Sequence, residues 1–283
     1  MKRGIFTRTL LYGLLYCFVA VIGCEIHMSG YSYPRARYER TVQLSRPISG
    51  GTLFSAKSND GRINVTGGDV AECSVTATII ARADSDEKAG RIAEEAKVKL
   101  EKFGSKLTVK LEKPVLWTNE SVDIQIEAMV PKNCNVELVT DDGNITTENI
   151  NGNIEVKTDD GEVNLSRIVG NIKVRSNDGS TRVEDFTGDV NIQGDDGRIT
   201  VIYSEDADGV YNVSMVTNDG AIDFTAPANF SANVEVITDD GSIDTGLPIK
   251  VVGKLGKNGI KGTIGTGEGR LYIKTDDGSV RIR

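Results

Sequence analysis

A four-residue motif, in most copies Ser/Thr-Asp/Asn-Asp-Gly, recurs along this chain and strongly limits the folds that it can adopt. Its third position is aspartate in eight clear copies: Asp60, Asp142, Asp160, Asp178, Asp196, Asp219, Asp240 and Asp277. From Gly143 to Gly197 the motif glycines follow one another at intervals of 18 residues. Such a fixed period predicts an all-β solenoid, because each unit of a solenoid pairs with the copies above and below it.

One unit of about 18 residues predicts one coil of a β-helix with three short sides. Alternating apolar residues would point inward: Ile154, Val156, Val163, Leu165 and Ile168 or Val169. We interpret Lys257-Asn258-Gly259-Ile260 as a worn copy in the long interval between Gly241 and Gly278. A chain of antiparallel hairpins is the alternative, since Asp-Gly also favours hairpin turns. The constant period favours the solenoid.

The motif has the chemistry of a turn. Its glycine would accept a positive φ, and its Asp and Ser/Thr oxygens would accept hydrogen bonds from the backbone. Stacked carboxylates about 4.8 Å apart would repel by roughly 1 kcal/mol per pair in water. Interleaved Asn, nearby Lys and Arg, or bound Ca²⁺ would relieve this repulsion. The motif does not have the spacing of Ca²⁺-binding rolls, so we expect a structural Asp ladder with no metal and no cofactor.

Residues 41–130 differ from the repeats of residues 131–283. They are rich in strand patterns and contain a predicted helix over residues 85–103, whose apolar face would hold Ile92, Ala96, Leu100 and Phe103. We expect this helix to cap one end of the solenoid, because open solenoid ends need cover. Trp117 would be a packed aromatic or a platform for a ligand.

The N-terminus has the layout of an export signal. Lys2 and Arg3 precede an apolar run that ends in Val21-Ile22-Gly23-Cys24. These four residues resemble the lipobox of bacterial lipoproteins, which implies that residues 1–23 are a signal peptide and that Cys24 carries a lipid. Residues 24–40 would be a tether. We therefore expect a protein anchored to a membrane in the cell envelope, on the non-cytoplasmic side.

Charge and residue content exclude several functions. The formal charge is −8, and residues 1–23 hold three basic residues and no acid, so export would leave −11. This argues against nucleic-acid binding. The single histidine, His27, lies in the predicted tether, which excludes Ser-His-Asp and Cys-His catalysis. Two cysteines remain after Cys24, Cys73 and Cys134, and they could form a disulfide or stay separate buried thiols.

The lipobox, the strand-rich region with one helix and the Thr-Asp-Asp-Gly-x-Ile/Val units together resemble the bacterial putative adhesin domain family of unknown function. The resemblance covers roughly residues 45–283 and implies a β-helical envelope protein. We expect a non-enzymatic scaffold or binding protein, an adhesin, with a protein or polysaccharide partner. The alternative is a carboxylate-dependent polysaccharide hydrolase or lyase. An irregular, longer coil suggests a binding loop with Tyr203, Glu205, Asp206, Asp208 and Tyr211.

Overall fold

The structure, a computed structural model, describes residues 36–252 and 258–283, which form two long β-sheets and one helix. The N-terminal elements are β1 (Ala36–Pro47), β2 (Leu53–Lys57), β3 (Ile63–Gly68), β4 (Glu72–Ala83), α1 (Asp86–Glu95), β5 (Lys97–Phe103), β6 (Lys106–Glu112) and β7 (Ser121–Pro131). The regular repeats contain β8 (Asn135–Val139), β9 (Ile145–Asn151), β10 (Ile154–Thr158), β11 (Val163–Val169), β12 (Ile172–Ser176), β13 (Thr181–Thr187), β14 (Val190–Gln193), β15 (Ile199–Tyr203), β16 (Asn212–Val216) and β17 (Ile222–Thr225). The C-terminal strands are β18 (Ala232–Thr238), β19 (Ile243–Thr245), β20 (Lys250–Val251), β21 (Gly259–Ile264), β22 (Gly269–Thr275) and β23 (Val280–Ile282).

Each regular coil contributes one strand to each sheet. Sheet A has the order β1-β4-β7-β3-β9-β11-β13-β15-β17-β23-β19, and sheet B has the order β20-β21-β18-β22-β16-β14-β12-β10-β8-β2-β6-β5. Successive coils pair in parallel, with Ile154 opposite Ile172 and Val163 opposite Thr181. The solenoid prediction is confirmed, because a chain of hairpins would pair these strands antiparallel.

The core lies between the two sheets, and it contains the residues that alternation predicted. Ile154, Val156, Val163, Leu165 and Ile168 are all buried. Val169, the alternative to Ile168, is 57% exposed. Inward residues of neighbouring coils stand at the same register positions, so each coil continues the apolar layers of the next.

The prediction of three separate sides per coil is wrong, because each regular coil has two strands. The predicted third side begins instead at a bend inside the sheet A strand. Asn149, Arg167 and Asp185 lie there at equivalent positions in three coils, with φ of 61°, 53° and 52°. A left-handed residue within a strand interrupts the alternation, so the residue that follows it, such as Ile168, turns back into the core.

The last coils do not stack in chain order. β22 lies between β16 and β18, and β23 lies between β17 and β19, so the coil of Gly278 is inserted between those of Gly220 and Gly241. The interpretation of Lys257–Ile260 as a worn coil is therefore wrong. Gly259 begins β21, which runs antiparallel to β18 and covers the end of sheet B together with β20.

At the other end the solenoid begins earlier than residue 131. β2 and β3 pair in parallel with β8 and β9, so Leu53–Gly68 forms the first coil. Antiparallel strands β4 and β1 extend sheet A beyond β7, and the β5–β6 hairpin extends sheet B. β1 begins at Ala36, so the last five residues of the predicted tether belong to a strand.

The helix is shorter than predicted. It spans Asp86–Glu95, begins at the N-cap Ser85 and buries Ala89, Ile92 and Ala93 as it packs on β1 and β4. Lys97–Phe103 forms β5 instead, because Lys-Val-Lys-Leu also alternates with the period of a strand, and pairing with β6 satisfies its backbone. Phe103 ends up 91% exposed. In the described part of the chain, nothing helical has the length and apolar character needed to cross a membrane.

Candidate functional site

The motif turns form a continuous column along one edge of the solenoid, which we call the turn column. In the coil of Gly161, the Gly161 amide donates to Thr158 Oγ1 (3.2 Å), and that hydroxyl donates to the Asp141 carbonyl of the preceding coil (3.2 Å). The same carbonyl accepts hydrogen bonds from the amides of Asp159 and Asp160, both at 3.0 Å. Each turn is therefore bonded within itself and to its neighbour, which explains why Thr or Ser recurs at a buried position.

The motif glycines are required for a different reason from the one predicted. None of those from Gly143 to Gly278 has a positive φ. A Cβ on Gly161 would instead lie 2.1 Å from the Gly143 carbonyl oxygen, and one on Gly179 would lie 2.1 Å from the Gly161 carbonyl oxygen. The column excludes side chains because adjacent backbones approach too closely for any Cβ.

Gly194 is the irregular member of the turn column, since it stands where other copies have Thr or Ser. A Cβ there would lie 3.6 Å from the Ser176 carbonyl oxygen, which is ordinary contact. We expect Gly194→Thr to stabilise the protein by about 1–2 kcal/mol, because the hydroxyl can bond its turn and the added Cβ restricts the unfolded chain. Urea denaturation measures the change in the free energy of unfolding. Gly194→Val is the control, because Val adds a similar side chain without the hydroxyl. A Thr variant no more stable than Val would contradict the hydrogen-bonding role.

The eight predicted aspartates stand beside the turn glycines as an exposed Asp ladder. The ladder follows the order of the stack, so Asp277 stands between Asp219 and Asp240. Partial desolvation and then the charges of Asp219 and Asp178 raise the pKa of Asp196. Where the first acidic position is Asn, its amide helps to offset this charge: Asn177 Nδ2 donates to Asp159 Oδ1 and Asn218 Nδ2 to Asp195 Oδ1, both at 3.2 Å. The described residues contain no cluster of His, Cys, Asp or Glu arranged to hold a metal.

The raised pKa of Asp196 has a measurable consequence. A carboxyl whose pKa is higher in the folded state stabilises the fold below its unfolded pKa, and this stabilisation is lost as the pH rises through the folded pKa. We therefore expect Asp196→Asn to raise the melting temperature at pH 7 and to have little effect near pH 3, where the carboxyl is protonated in both states. Thermal unfolding at the two pH values tests this. A gain of equal size at both would show that charge is not the cause.

The predicted binding loop is not a single surface. Tyr203 and Tyr211 are buried in the core, where their ring centroids lie 5.0 Å apart and Phe186 packs 4.1 Å from Tyr203. Tyr203 Oη donates to the Gly188 carbonyl (2.8 Å), and burial raises the pKa of this phenol. Only the acids Glu205, Asp206 and Asp208 are exposed. The longer coil thus accommodates large aromatic side chains in the core, which sequence spacing could not distinguish from a binding insertion.

Cys73 and Cys134 are both free thiols, and both are buried in the core. Burial raises the pKa of Cys73 to about 12, with a further contribution from Cys134. Burial also raises the pKa of Cys134 to about 11. Because the thiolate is the nucleophilic form, neither cysteine has the character of a reactive residue. Cys24, the predicted lipidation residue, lies outside the described residues.

A groove with a volume of about 910 Å³ lies on the outer face of sheet B. It crosses β8, β10, β12, β14, β16 and β22, which at the spacing of strands makes it roughly 25 Å long. Outward residues of these strands line it, including Asn191, Gln193 and Tyr272, together with Asn153 and Asn171, which immediately precede β10 and β12. Sequence reasoning missed this site because its residues are spread over six strands.

A column of Asn residues fixes one side of the groove. Asn135 Oδ1 accepts from the Asn153 amide (2.9 Å), Asn153 Oδ1 from the Asn171 amide (3.0 Å), and Asn171 Oδ1 from the Asp189 amide (3.1 Å). These bonds hold the side-chain amides in place, which leaves their Nδ2 donors to meet a ligand. The sequence carried a signal for this column, since Gly-Asn recurs at Gly152 and Gly170, one coil apart.

Three of the five charged side chains that line the groove are in ion pairs. Lys173 Nζ lies 2.7 Å from Glu155 Oε1, and Lys106 Nζ lies 2.5 Å from Glu137 Oε2. The bond with Lys106 lowers the pKa of Glu137. Arg270 stacks 5.3 Å from the ring centroid of Tyr272. Asp189, the remaining acid, accepts from the backbone and side-chain amides of Asn212 (2.9 and 3.3 Å). The groove therefore presents amides, ion pairs and an aromatic ring, a combination suited to a hydroxyl-rich polymer.

Two mainly parallel sheets joined by a repeated turn define the class of protein, a β-solenoid with a grooved outer face. The Toastrack DUF4097 family model matches residues 55–283, so the chain belongs to that family. A comparison with curated proteins finds no match.

Three solved structures similar to this chain come from bacteria. A putative cell adhesion protein of Clostridium sporogenes is 14% identical, with a TM-score of 0.31 over 86% of this chain and 98% of that chain. A putative adhesin of Bacteroides fragilis is 12% identical, with a TM-score of 0.47 over 86% and 97%. A putative adhesin of Parabacteroides distasonis is 10% identical, with a TM-score of 0.37 over 86% and 97%.

Proposed function

We propose that this protein is a lipid-anchored binding protein of the bacterial cell envelope, of adhesin type, that holds a polysaccharide along the groove of sheet B. The groove carries this proposal. It is long and open, it crosses six strands at a regular spacing, and its fixed amides repeat from coil to coil. A polymer with a repeating unit can make the same contact on successive coils.

The chemistry of the groove supports a glycan over other polymers. Asn and Gln side chains both donate and accept hydrogen bonds, as sugar hydroxyls require, and Tyr272 offers a face on which a sugar ring can stack. The paired charges of Lys173 and Glu155 provide no strong field for a nucleic acid or an acidic peptide. Binding without catalysis fits the repeated surface, because a catalytic carboxylate pair is a single constellation.

Glycan binding can be measured with the purified protein and isolated envelope and host polysaccharides. We expect the double variant Asn191→Ala and Tyr272→Ala to weaken binding at least about tenfold, since it removes hydrogen bonds and a stacking face. Asn164→Ala is the matched control, because Asn164 is an exposed residue of β11 on the outer face of sheet A. Equal affinity of the two variants would show that the groove is not the glycan-binding site. Shortening of the glycan during the assay would favour the hydrolase or lyase alternative.

The anchor is a separate part of the proposal and needs its own test. Cys24 ends a signal-like segment, and the first described strand begins at Ala36, twelve residues later in the sequence. We expect Cys24→Ser to abolish labelling by a lipid precursor in cells and to release or stall the protein. Unchanged labelling would show that Cys24 is not the modified residue.

A further inference from the structure

We infer that the loop between β6 and β7 inserts the side chains of Val115, Leu116 and Trp117 into the membrane surface beside the proposed lipid anchor. These are three consecutive apolar residues, and Val115 and Trp117 are 88% and 76% exposed. Isolated apolar residues are ordinary on protein surfaces, whereas a contiguous group indicates a surface with a partner. The inference rests on the proposed anchoring through Cys24.

The loop is ordered around its tryptophan. The Glu120 amide donates to the Trp117 carbonyl (3.0 Å), and the Trp117 amide donates to Glu120 Oε2 (2.9 Å). Asn119 between them has a φ of 71°, which closes a tight turn. These bonds fix the backbone of the turn, and the Trp117 side chain lies outside the core.

Strand register places this loop beside the start of the described chain. Ser121, the first residue of β7, pairs with Arg82 of β4, and Arg82 pairs with Arg37 of β1. The loop therefore joins sheet A about two strand spacings, roughly 10 Å, from the start of β1. Twelve residues reach at most about 40 Å, so a lipid on Cys24 limits the distance of this edge from the bilayer and lets the loop reach it.

The charges around the loop are compatible with a lipid surface. Asp123 is paired with Arg82 (2.6 Å), Glu112 with Lys99 (2.7 Å), and Glu39 with Arg37. Lys113 precedes the apolar residues. Glu120, the acid of the loop, accepts from the Trp117 amide. Tryptophan is typical of the interface between headgroups and acyl chains. A bilayer is therefore the occupant that best fits this surface.

Trp117 is the only tryptophan of the chain, so selectively excited tryptophan fluorescence reports on this loop alone. The experiment compares the full lipidated protein, with and without liposomes of neutral and anionic phospholipids. We expect liposomes to shift the emission to shorter wavelength, to allow quenching by brominated acyl chains and to reduce quenching by acrylamide several-fold. Emission that stays solvent-like on liposomes overturns the inference, as does emission that is already shifted in their absence.

A relocated tryptophan provides the control. Phe103 is also highly exposed, but it lies at the other end of the β5–β6 hairpin, since Lys97 and Glu112 pair at the end near the loop. In the variant Trp117→Phe with Phe103→Trp, the emission should stay solvent-like on liposomes, and a shift equal to that of Trp117 would show that contact is unspecific. Flotation separates the two proposals. If the protein does not float with the liposomes, the proposed lipid anchor is wrong. If it floats but Trp117 stays exposed to solvent, only the proposed insertion of the loop is wrong.

Discussion

Gly161→Ala is expected to destabilise the protein by about 3–5 kcal/mol, a large share of the total stability of an ordinary domain. The new Cβ would lie 2.1 Å from the Gly143 carbonyl oxygen, 2.7 Å from its carbon, and 2.9 Å from Thr158 Oγ1. Two of these atoms belong to backbone that is hydrogen-bonded to its neighbours, so the coils must separate. Urea denaturation and the soluble yield of the variant measure the effect.

Gly194→Ala is the control for this variant. Gly194 belongs to the same column, but a Cβ there meets nothing closer than 3.6 Å. We expect its stability to stay within about 1 kcal/mol of the parent protein. If Gly161→Ala were as mild as the control, the close stacking of turn backbones would not be the reason for the motif glycine.

Leu165→Asp should have an effect of similar size, about 3–5 kcal/mol, because it places an unpaired carboxylate in the core. Leu165 is fully buried between the two sheets, and its neighbours in register are Thr147 and Val183. Thermal and urea unfolding measure the loss. Asn164→Asp introduces the same charge one residue earlier, on the exposed face, and should change stability little. Equal effects of the two variants would mean that the assigned facing of β11 is wrong.

Much of the solenoid could be predicted from the motif because its period is a physical requirement. Parallel coils must repeat their length in order to pair, and alternation assigned Ile154, Val156, Val163 and Leu165 to the core. The order of the last coils could not be predicted in this way. Two units with the same motif present nearly the same edges, so sequence does not say which copy pairs with which.

Local periodicity also failed where two patterns overlapped. One helical face would hold Ile92, Ala96, Leu100 and Phe103. Lys97–Phe103 also alternates with the period of a strand, and its pairing with β6 makes it a strand in the folded protein. The candidate site was missed for another reason. The groove is formed by outward residues of six strands, and no single segment of the sequence contains enough of it to be recognised, even though Asn153 and Asn171 repeat at the coil period.

The insertion of β22 and β23 between earlier coils has a consequence for how the chain assembles during synthesis. The edges of β16 and β17 have no partner in this stack until residues 269–282 have been made, although β18 and β19 precede those residues in the chain. Pairing over such separations is slow to form, and an open strand edge is a template for other chains. Assembly of this end is therefore expected to be delayed until after synthesis. A chain truncated before Gly269 would lack the strands that join β16 to β18 and β17 to β19, so it would not simply form a shorter solenoid.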